Sequence, residues 1–335
     1  MKDMKARSVV AEGPGSVSVK TEELPPPGKD EVLVQSLVSA LSPGTETKFV
    51  KGQHTHGSGT FAKTDPIGQK EDFPFGLGYS VVGRISEVGS EKNGHLIGKN
   101  VFAYHPHCSS FVIDPSKLIL LPDDSDPERF ALYANMETAV TLIMDGKPMM
   151  GEEVMVLGQG VVGLLLTDLL SGDDLSDLVT VEKLEYRREI SMEMGADLSL
   201  PPEDLDPEIS KWGGFDLIYE VTGRIDSIDI ATKYSGHSGR IIIGSYYGDM
   251  PGKIRLGDGF HRKRLRIKSS QVSTIDPGLS GRWSRDRRSD LTMRMLKRLN
   301  HSRLITHRFG VEDAVDAYET LLSEDDDHLQ ILLEY

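Results

Sequence analysis

This chain is poor in sulfur, in net positive charge and in long apolar runs, and each shortage closes a route. Of its 335 residues one is cysteine, Cys108, so neither an internal disulfide nor a four-cysteine zinc knot can form. Lys and Arg number 38 against 52 Asp and Glu, a formal charge of −14 at pH 7, which argues against general nucleic-acid binding. The longest nearly apolar run, Val154 to Leu170, is broken by Gln159 and Asp168 and is no membrane span. Met1-Lys-Asp-Met-Lys leads towards Val9-Val10 without a signal-peptide pattern. The partner expected from these shortages is a small molecule, with no nucleic acid and no membrane, in the cytoplasm. Hydrophobic residues at 38% and charged residues at 27% are ordinary for a soluble globular protein, and the length suffices for two domains, each with its own core.

The most informative stretch is Val154-Met-Val-Leu-Gly-Gln-Gly-Val-Val-Gly163. An apolar strand runs into Gly158-Gln159-Gly160-Val161-Val162-Gly163 and then into helix-forming leucines. Nineteen residues past Gly163, at the end of the run Leu178 to Val181, stands Glu182. Each part has a physical task in holding a dinucleotide. Gly158 permits the turn, Gly160 lets backbone approach a pyrophosphate, and Gly163 lets helix press on strand. The helix N-terminus offers unpaired N–H groups, and Glu182 would accept hydrogen bonds from the adenosine ribose. A carboxylate there repels a 2′-phosphate, so NAD(H) is favoured over NADP(H). Lys183, Arg187 and Arg188 stand close enough to blunt that preference, unless both arginines face solvent on the next helix, read as Tyr186 to Gly195.

Before residue 150 short apolar runs (Val32 to Val34, Val81-Val82, Val101 to Ala103, Phe111 to Ile113, Leu118 to Leu121) separated by Gly, Pro and Asn read as strands. From about 150 to 270 strands alternate with helices: Val154 to Leu157, Leu178 to Val181, Leu217 to Tyr219 and Ile241 to Ile243 are continuous apolar runs, as in a parallel sheet covered on both faces. Ser235 to Gly239 reads as a helix-ending turn. Lys253 to Arg288 is strongly basic inside an acidic chain, and Arg262 to Lys268 alternates basic and apolar residues as a strand with one charged face. That face is either solvated, subunit-facing, or an attractor of an anionic substrate. A helix (Leu291 to Leu299), a strand (Leu304-Ile305), a helix (Val311 to Leu322) and a strand (Leu329 to Leu333) close the chain.

Ser42-Pro-Gly-Thr-Glu46, Gly78 to Gly89, the glycine fingerprint with Glu182, Met194-Gly-Ala-Asp197, Glu220-Val-Thr-Gly223 and Leu304 to Ala314 follow one another in an order that resembles the medium-chain dehydrogenase/reductase family, the zinc alcohol dehydrogenase superfamily. The resemblance implies an α/β fold: a Rossmann doubly wound parallel sheet at 149–288, and a discontinuous, β-rich GroES-like substrate domain at 1–148 and 289–335. It also implies a homodimer joined sheet edge to sheet edge. It places Thr222, Gly223, Ser245 and Tyr246 at the carboxyl edge of the sheet, near the nicotinamide.

Metal-dependent members hold a catalytic zinc on a Cys and a His whose matching positions here are Pro43 and Tyr79, neither a plausible zinc ligand. The family's four-cysteine lobe after Val101 is missing as well, so the resemblance is to a zinc-lacking branch with no metal site. His54, His56, His105, His107 and Cys108 are metal-capable side chains whose spacing could serve a metal instead, unless they are solvated loop residues. Without zinc another group must steady the developing oxyanion. Thr45 matches the family's hydroxyl relay position, and Tyr79 is either a hydrogen-bond donor or an aromatic plug in the vacated site. Glu46 either orients a neighbour or pairs with Lys48. His105 and His107 are proton-shuttle candidates or solvated loop residues, and Glu137 is a site residue or a polar residue at a domain seam. The expected activity is zinc-independent, NAD(H)-dependent interconversion of a secondary alcohol and a ketone. The rivals are an NADPH-dependent enoyl or quinone reductase and a non-catalytic dinucleotide-binding protein.

Overall fold

The computed structural model describes residues 4–53, 72–206, 213–257, 259–323 and 327–335; His54 and His56 lie outside them. The chain forms two compact units, Met1–Ala134 with Arg298–Tyr335, and Asn135–Lys297. Among the described residues no helix is long and apolar enough to cross a membrane.

In the first unit β1 (Met4–Gly13), β2 (Ser16–Leu24) and β4 (Phe75–Gly76) make a small antiparallel sheet. A larger sheet has the order β15-β16-β3-β5-β6-β8, from β3 (Val32–Ala40), β5 (Val81–Val88), β6 (Asn100–Ala103), β8 (Leu118–Leu120), β15 (Ile305–Gly310) and β16 (Gln330–Glu334), with β7 (Ser110–Ile113) also on β3. The tail thus returns to the first unit: β16 lies antiparallel to β3, Leu332 opposite Ala40. A helix here labelled α8 (Ala314–Leu322) buries Ala314, Ala317, Tyr318 and Leu321, the spacing of one helical face. That face packs in one core with Leu41, Val50, Phe75 and Leu77.

The second unit carries a six-stranded sheet in the order β11-β10-β9-β12-β13-β14, every pair parallel. The strands are β9 (Glu153–Leu157), β10 (Asp177–Val181), β11 (Leu198–Leu200), β12 (Phe215–Glu220), β13 (Ser235–Ile243) and β14 (Arg266–Ser269). Numbered from its first strand this is the 3-2-1-4-5-6 order of a doubly wound sheet, whose direction of winding reverses between β9 and β12 and opens a crevice at their carboxyl ends. The continuous apolar runs form its core, Met155, Leu157, Val179, Ile218 and Ile241 together.

Three sequence readings change. The second unit starts at Asn135 and ends at Lys297 rather than at 149 and 288, because the helix α3 (Tyr133–Gly146) sends Leu142 against Gly244 and Gly146 against Tyr219. Ser235 to Gly239 is the start of β13 rather than a turn, with a register irregularity opposite Phe215 and Leu217. Only Arg266 onward of the basic run is strand. Arg264 has a left-handed φ of 54°, and Lys263 lies back across the end of the preceding helix, donating to the carbonyls of Lys233 (2.8 Å) and Ser235 (2.9 Å). Lys268 donates to Asp145 (2.8 Å) and Asp276 (2.5 Å), so two of the cations of this run are held internally.

Candidate functional site

In the second unit, β9 ends at Leu157 and Gly158 turns the chain at φ 95°. The helix α4 (Val161–Leu170) follows with Gly160 at its N-cap. Its first intrahelical bond runs from Leu164 N to Gly160 O (2.9 Å), so the amides of Val161, Val162 and Gly163 precede the ladder. A Cβ on Gly163 would fall 2.0 Å from Gly158 O, whereas one on Gly160 would meet nothing within 4 Å. Helix therefore presses on loop at Gly163, and the face of Gly160 is open. Gln159 is fully buried and points inward: its Nε2 donates to Gly158 O (3.0 Å) and its Oε1 accepts from Thr167 (3.0 Å). This brace is invisible to the fingerprint, which tolerates any residue there.

Glu182 sits at the end of β10, 7% exposed. One carboxylate oxygen accepts from Gln159 N (2.8 Å), the other from Leu184 N (3.1 Å). The neighbouring cations are partly engaged. Arg188 donates to the carbonyls of Glu182 (2.9 Å) and Lys183 (2.7 Å), and Arg187 to the Tyr186 hydroxyl (2.9 Å). Both are half-buried on α5 (Glu185–Glu193) rather than turned to solvent. The cradle thus fits a dinucleotide: an open glycine face, first-turn amides that precede the helical ladder and a fixed carboxylate.

At the carboxyl edge of β12, Glu220 is fully buried and gathers donors: Thr222 N (2.8 Å), Thr222 Oγ1 (2.5 Å), Ser227 Oγ (2.9 Å) and the Tyr247 hydroxyl (2.5 Å). Burial and the adjacent carboxylate hold the Tyr247 phenol well above its ordinary range. Gly223 N donates to Ser245 Oγ (2.8 Å), so Thr222, Gly223 and Ser245 form one edge, with Tyr246 half-buried beside it. The pattern reading missed Glu220 and Tyr247 as members; a carboxylate ending an apolar strand was the available signal. Glu137 is an ion-pair partner, its carboxylate 3.0 Å from the guanidinium of Arg288, both buried.

In the first unit, Thr45, Glu46, Tyr79 and Ser42 gather at the start of α1 (Pro43–Val50). The Tyr79 hydroxyl donates to Ser42 Oγ (2.6 Å). Glu46, 1% exposed, accepts from Ser42 N (2.8 Å), from His107 Nε2 (3.2 Å) and from the Tyr318 hydroxyl. Its role is thus to orient neighbours rather than to pair with Lys48. Because the carboxylate accepts, the hydrogen of His107 is assigned to Nε2, and its buried Nδ1 has no partner among the described residues. The His107 ring lies flat on Gly78, whose φ is 89°; a Cβ there would stand 2.2–2.4 Å from three ring atoms. His107 is therefore sealed in the core rather than set in a solvated loop. His105 stacks on Phe111 at 4.0 Å between centroids, and burial lowers its pKa. Burial likewise pushes the Cys108 thiol up to about 12. Ser42 and Tyr318 were not anticipated: they lie 37 residues from Tyr79 and 272 from Glu46, and nothing local announces either contact.

This donor set does not fit zinc. Among the described residues the groups around Pro43 and Tyr79 are hydroxyls, and the nearby carboxylate of Glu46 is taken in the core by Ser42 N, His107 and Tyr318. Among the described residues no group of three His, Cys, Asp or Glu side chains could hold a metal ion.

No protein-family profile matches the chain. It is 25% identical over 264 residues to D-guloside 3-dehydrogenase of Escherichia coli K12, covering 76% of this chain and 73% of that protein. It is 27% identical over 236 residues to (R,R)-butanediol dehydrogenase of Bacillus subtilis, covering 61% and 66%. Among solved structures, an alcohol dehydrogenase of E. coli CFT073 complexed with NADH superposes with a TM-score of 0.79 at 17% identity over 99% of both chains. A zinc-binding dehydrogenase from Sinorhizobium meliloti bound to NADP, so described provisionally, gives 0.78 at 18% over 99% of this chain and 100% of that one. The chain has the fold of the medium-chain dehydrogenases, and the proteins it is related to in sequence are alcohol and polyol dehydrogenases of that type.

Proposed function

We propose that this protein is a zinc-independent, NAD(H)-dependent oxidoreductase that interconverts a secondary alcohol and a ketone. The observation that carries the reading is the Tyr79 hydroxyl donating to Ser42, where metal-dependent members have ligands at the positions of Pro43 and Tyr79, backed by the Glu46 carboxylate already bound by its neighbours. When bound, the nicotinamide supplies or accepts the hydride. Val161, Val162 and Gly163 offer their amides to the pyrophosphate across the open face of Gly160. Glu182 keeps lone pairs for the ribose hydroxyls, and its charge disfavours a 2′-phosphate. Thr45 holds the substrate oxygen by a hydrogen bond rather than by coordination, and Tyr79 acts through the Ser42 hydroxyl to which it donates. Glu46 positions them, since a carboxylate fixed by three donors cannot swing away from the Ser42 turn. The names of the relatives support a hydroxylated, polyol-like substrate. Lys263 and Lys268 are held internally, which weakens the case for an anionic one. The proposal includes a cytoplasmic homodimer: β14 has a neighbour on one side only among the described residues, an edge a second copy would complete.

The test is cofactor-difference kinetics on metal-analysed protein. NADH oxidation with ketones, undiminished by a chelator, is expected. NADPH oxidation with enones would select the reductase alternative, and dinucleotide binding without turnover the non-catalytic one.

A further inference from the structure

Resting on that reading, we propose that Ser42 is the group that touches the reacting oxygen and donates to it, with the Tyr79 phenol behind it as its proton source. A serine at a helix N-cap ordinarily turns its hydroxyl back to accept from the first-turn amides. Ser42 holds the N-cap of α1 in extended geometry (φ −103°, ψ 101°) yet makes no side-chain cap bond. Its oxygen accepts from Tyr79 instead, at 2.6 Å. A hydroxyl has one proton to give, and among the described residues that of Ser42 has no acceptor. Accepting from a phenol polarises the serine O–H and strengthens it as a donor.

The backbone around this hydroxyl is fixed from both sides. Leu41 N donates to Ile331 O (3.0 Å), and Leu41 O accepts from Gln330 Nε2 (2.6 Å). Ser42 N is held by Glu46 (2.8 Å), itself bound by Tyr318 and His107. Burial sorts the cluster by role. Glu46, His107 and Tyr318 are at most 1% exposed, whereas Ser42, Thr45 and Tyr79 are half-buried. Hydroxyls are what this site can present to a ligand, and Ser42 is the one whose proton is pointed on by a second donor.

In the reducing direction the carbonyl carbon gains a hydride, NADH is oxidised to NAD+, and the C=O π pair becomes a lone pair on oxygen. That oxygen takes the Ser42 proton, Ser42 takes the Tyr79 proton, and Tyr79 takes one from solvent; alcohol oxidation runs the same transfers backwards.

The experiment compares wild type, Ser42→Ala, Ser42→Thr, Tyr79→Phe and the Ser42→Ala/Tyr79→Phe double variant. Readouts are NADH affinity by fluorescence, the unfolding midpoint, and NADH oxidation with acetoin and fructose as ketone probes. Expected are unchanged NADH affinity and midpoint throughout, and a 10²–10³-fold loss of kcat in Ser42→Ala, the size seen when one oxyanion donor is removed. Ser42→Thr, whose extended backbone suits a β-branched residue, should recover kcat to within about tenfold of wild type, on the same scale for a retained donor. The double variant should be no slower than Ser42→Ala, because the two act in series. Ser42→Ala within threefold of an active wild type, or losses that multiply in the double variant, would overturn the assignment while leaving the proposed activity standing. A wild type that binds NADH and reduces neither ketone, or fails to bind NADH, would instead overturn the activity and the assignment with it.

Discussion

Gly78→Ala is the most demanding probe of the hydroxyl cluster, because two independent costs meet at one atom. The first is conformational: Gly78 sits at φ 89°, where a side chain is disfavoured by about 1–2 kcal/mol. The second is steric. The new methyl would stand 2.2 Å from His107 Nε2, 2.3 Å from Cδ2 and 2.4 Å from Cε1. The ring is buried, with one nitrogen on Glu46, so it cannot slide away freely, and overpacking of this kind costs about 1–3 kcal/mol. Together these give about 2–5 kcal/mol, or a fall of about 4–20 °C in the unfolding midpoint at 2–4 °C per kcal/mol for a unit of this size. The assay is a double-mutant cycle by scanning calorimetry with His107→Ala. Removing the ring opens space for the methyl, so the double variant should lose clearly less than the sum of the singles. A Gly78→Ala midpoint within 1–2 °C of wild type, or strict additivity across the cycle, would refute the packing of His107 on Gly78.

Tyr79→Phe should lower turnover by up to about 10²-fold with NADH affinity unchanged, since it removes the group that polarises the Ser42 donor to the developing oxyanion; unaltered turnover would remove the phenol from the mechanism. Glu182→Ala should weaken NADH binding by about 10–100-fold, as for lost charge-assisted hydrogen bonds of about 1.5–3 kcal/mol, and narrow the preference against NADPH. Titration of both coenzymes checks it, and an unchanged affinity ratio would count against the ribose contact. Cys108, its thiol raised from 9.0 to about 12 by burial, should resist iodoacetamide at pH 8 when folded and react on unfolding. Since the folded state keeps this proton while the unfolded state loses it, the linked stability falls as pH rises from about 9 towards 12; urea midpoints of wild type and Cys108→Ala across that range would show the difference vanish if the shift is absent.

What was legible in the sequence was what is local along it. The glycine turn and Glu182 are bound to each other by the length of one helix and one strand, so spacing alone found them, and the apolar runs of β9, β10 and β12 announced a sheet buried on both faces. The Ser42, Glu46, Tyr79, His107 and Tyr318 cluster joins segments 37 to 272 residues apart, and no local pattern encodes that meeting. Tyr318 even carries a misleading signal, since its place among Ala314, Ala317 and Leu321 reads as plain helix core. Ser235 to Gly239 misled in the opposite sense. Its small residues look like a turn, but Gly236 lets the chain lie against Gly214, where a Cβ would come within 2.8 Å of Gly214 O. In Arg262 to Lys268 the alternation was real only from Arg266, because Lys263 is drawn back to carbonyls at a helix end.

The central claim is a hydride-transfer site whose oxygen is steadied by hydroxyls instead of an ion, and one measurement reaches it directly: ketone-dependent NADH oxidation by freshly purified protein whose zinc content has been determined on the same sample. The account predicts turnover at well under one zinc per chain, indifferent to a strong chelator. Stoichiometric zinc, with activity lost on chelation and restored by adding zinc back, would contradict it.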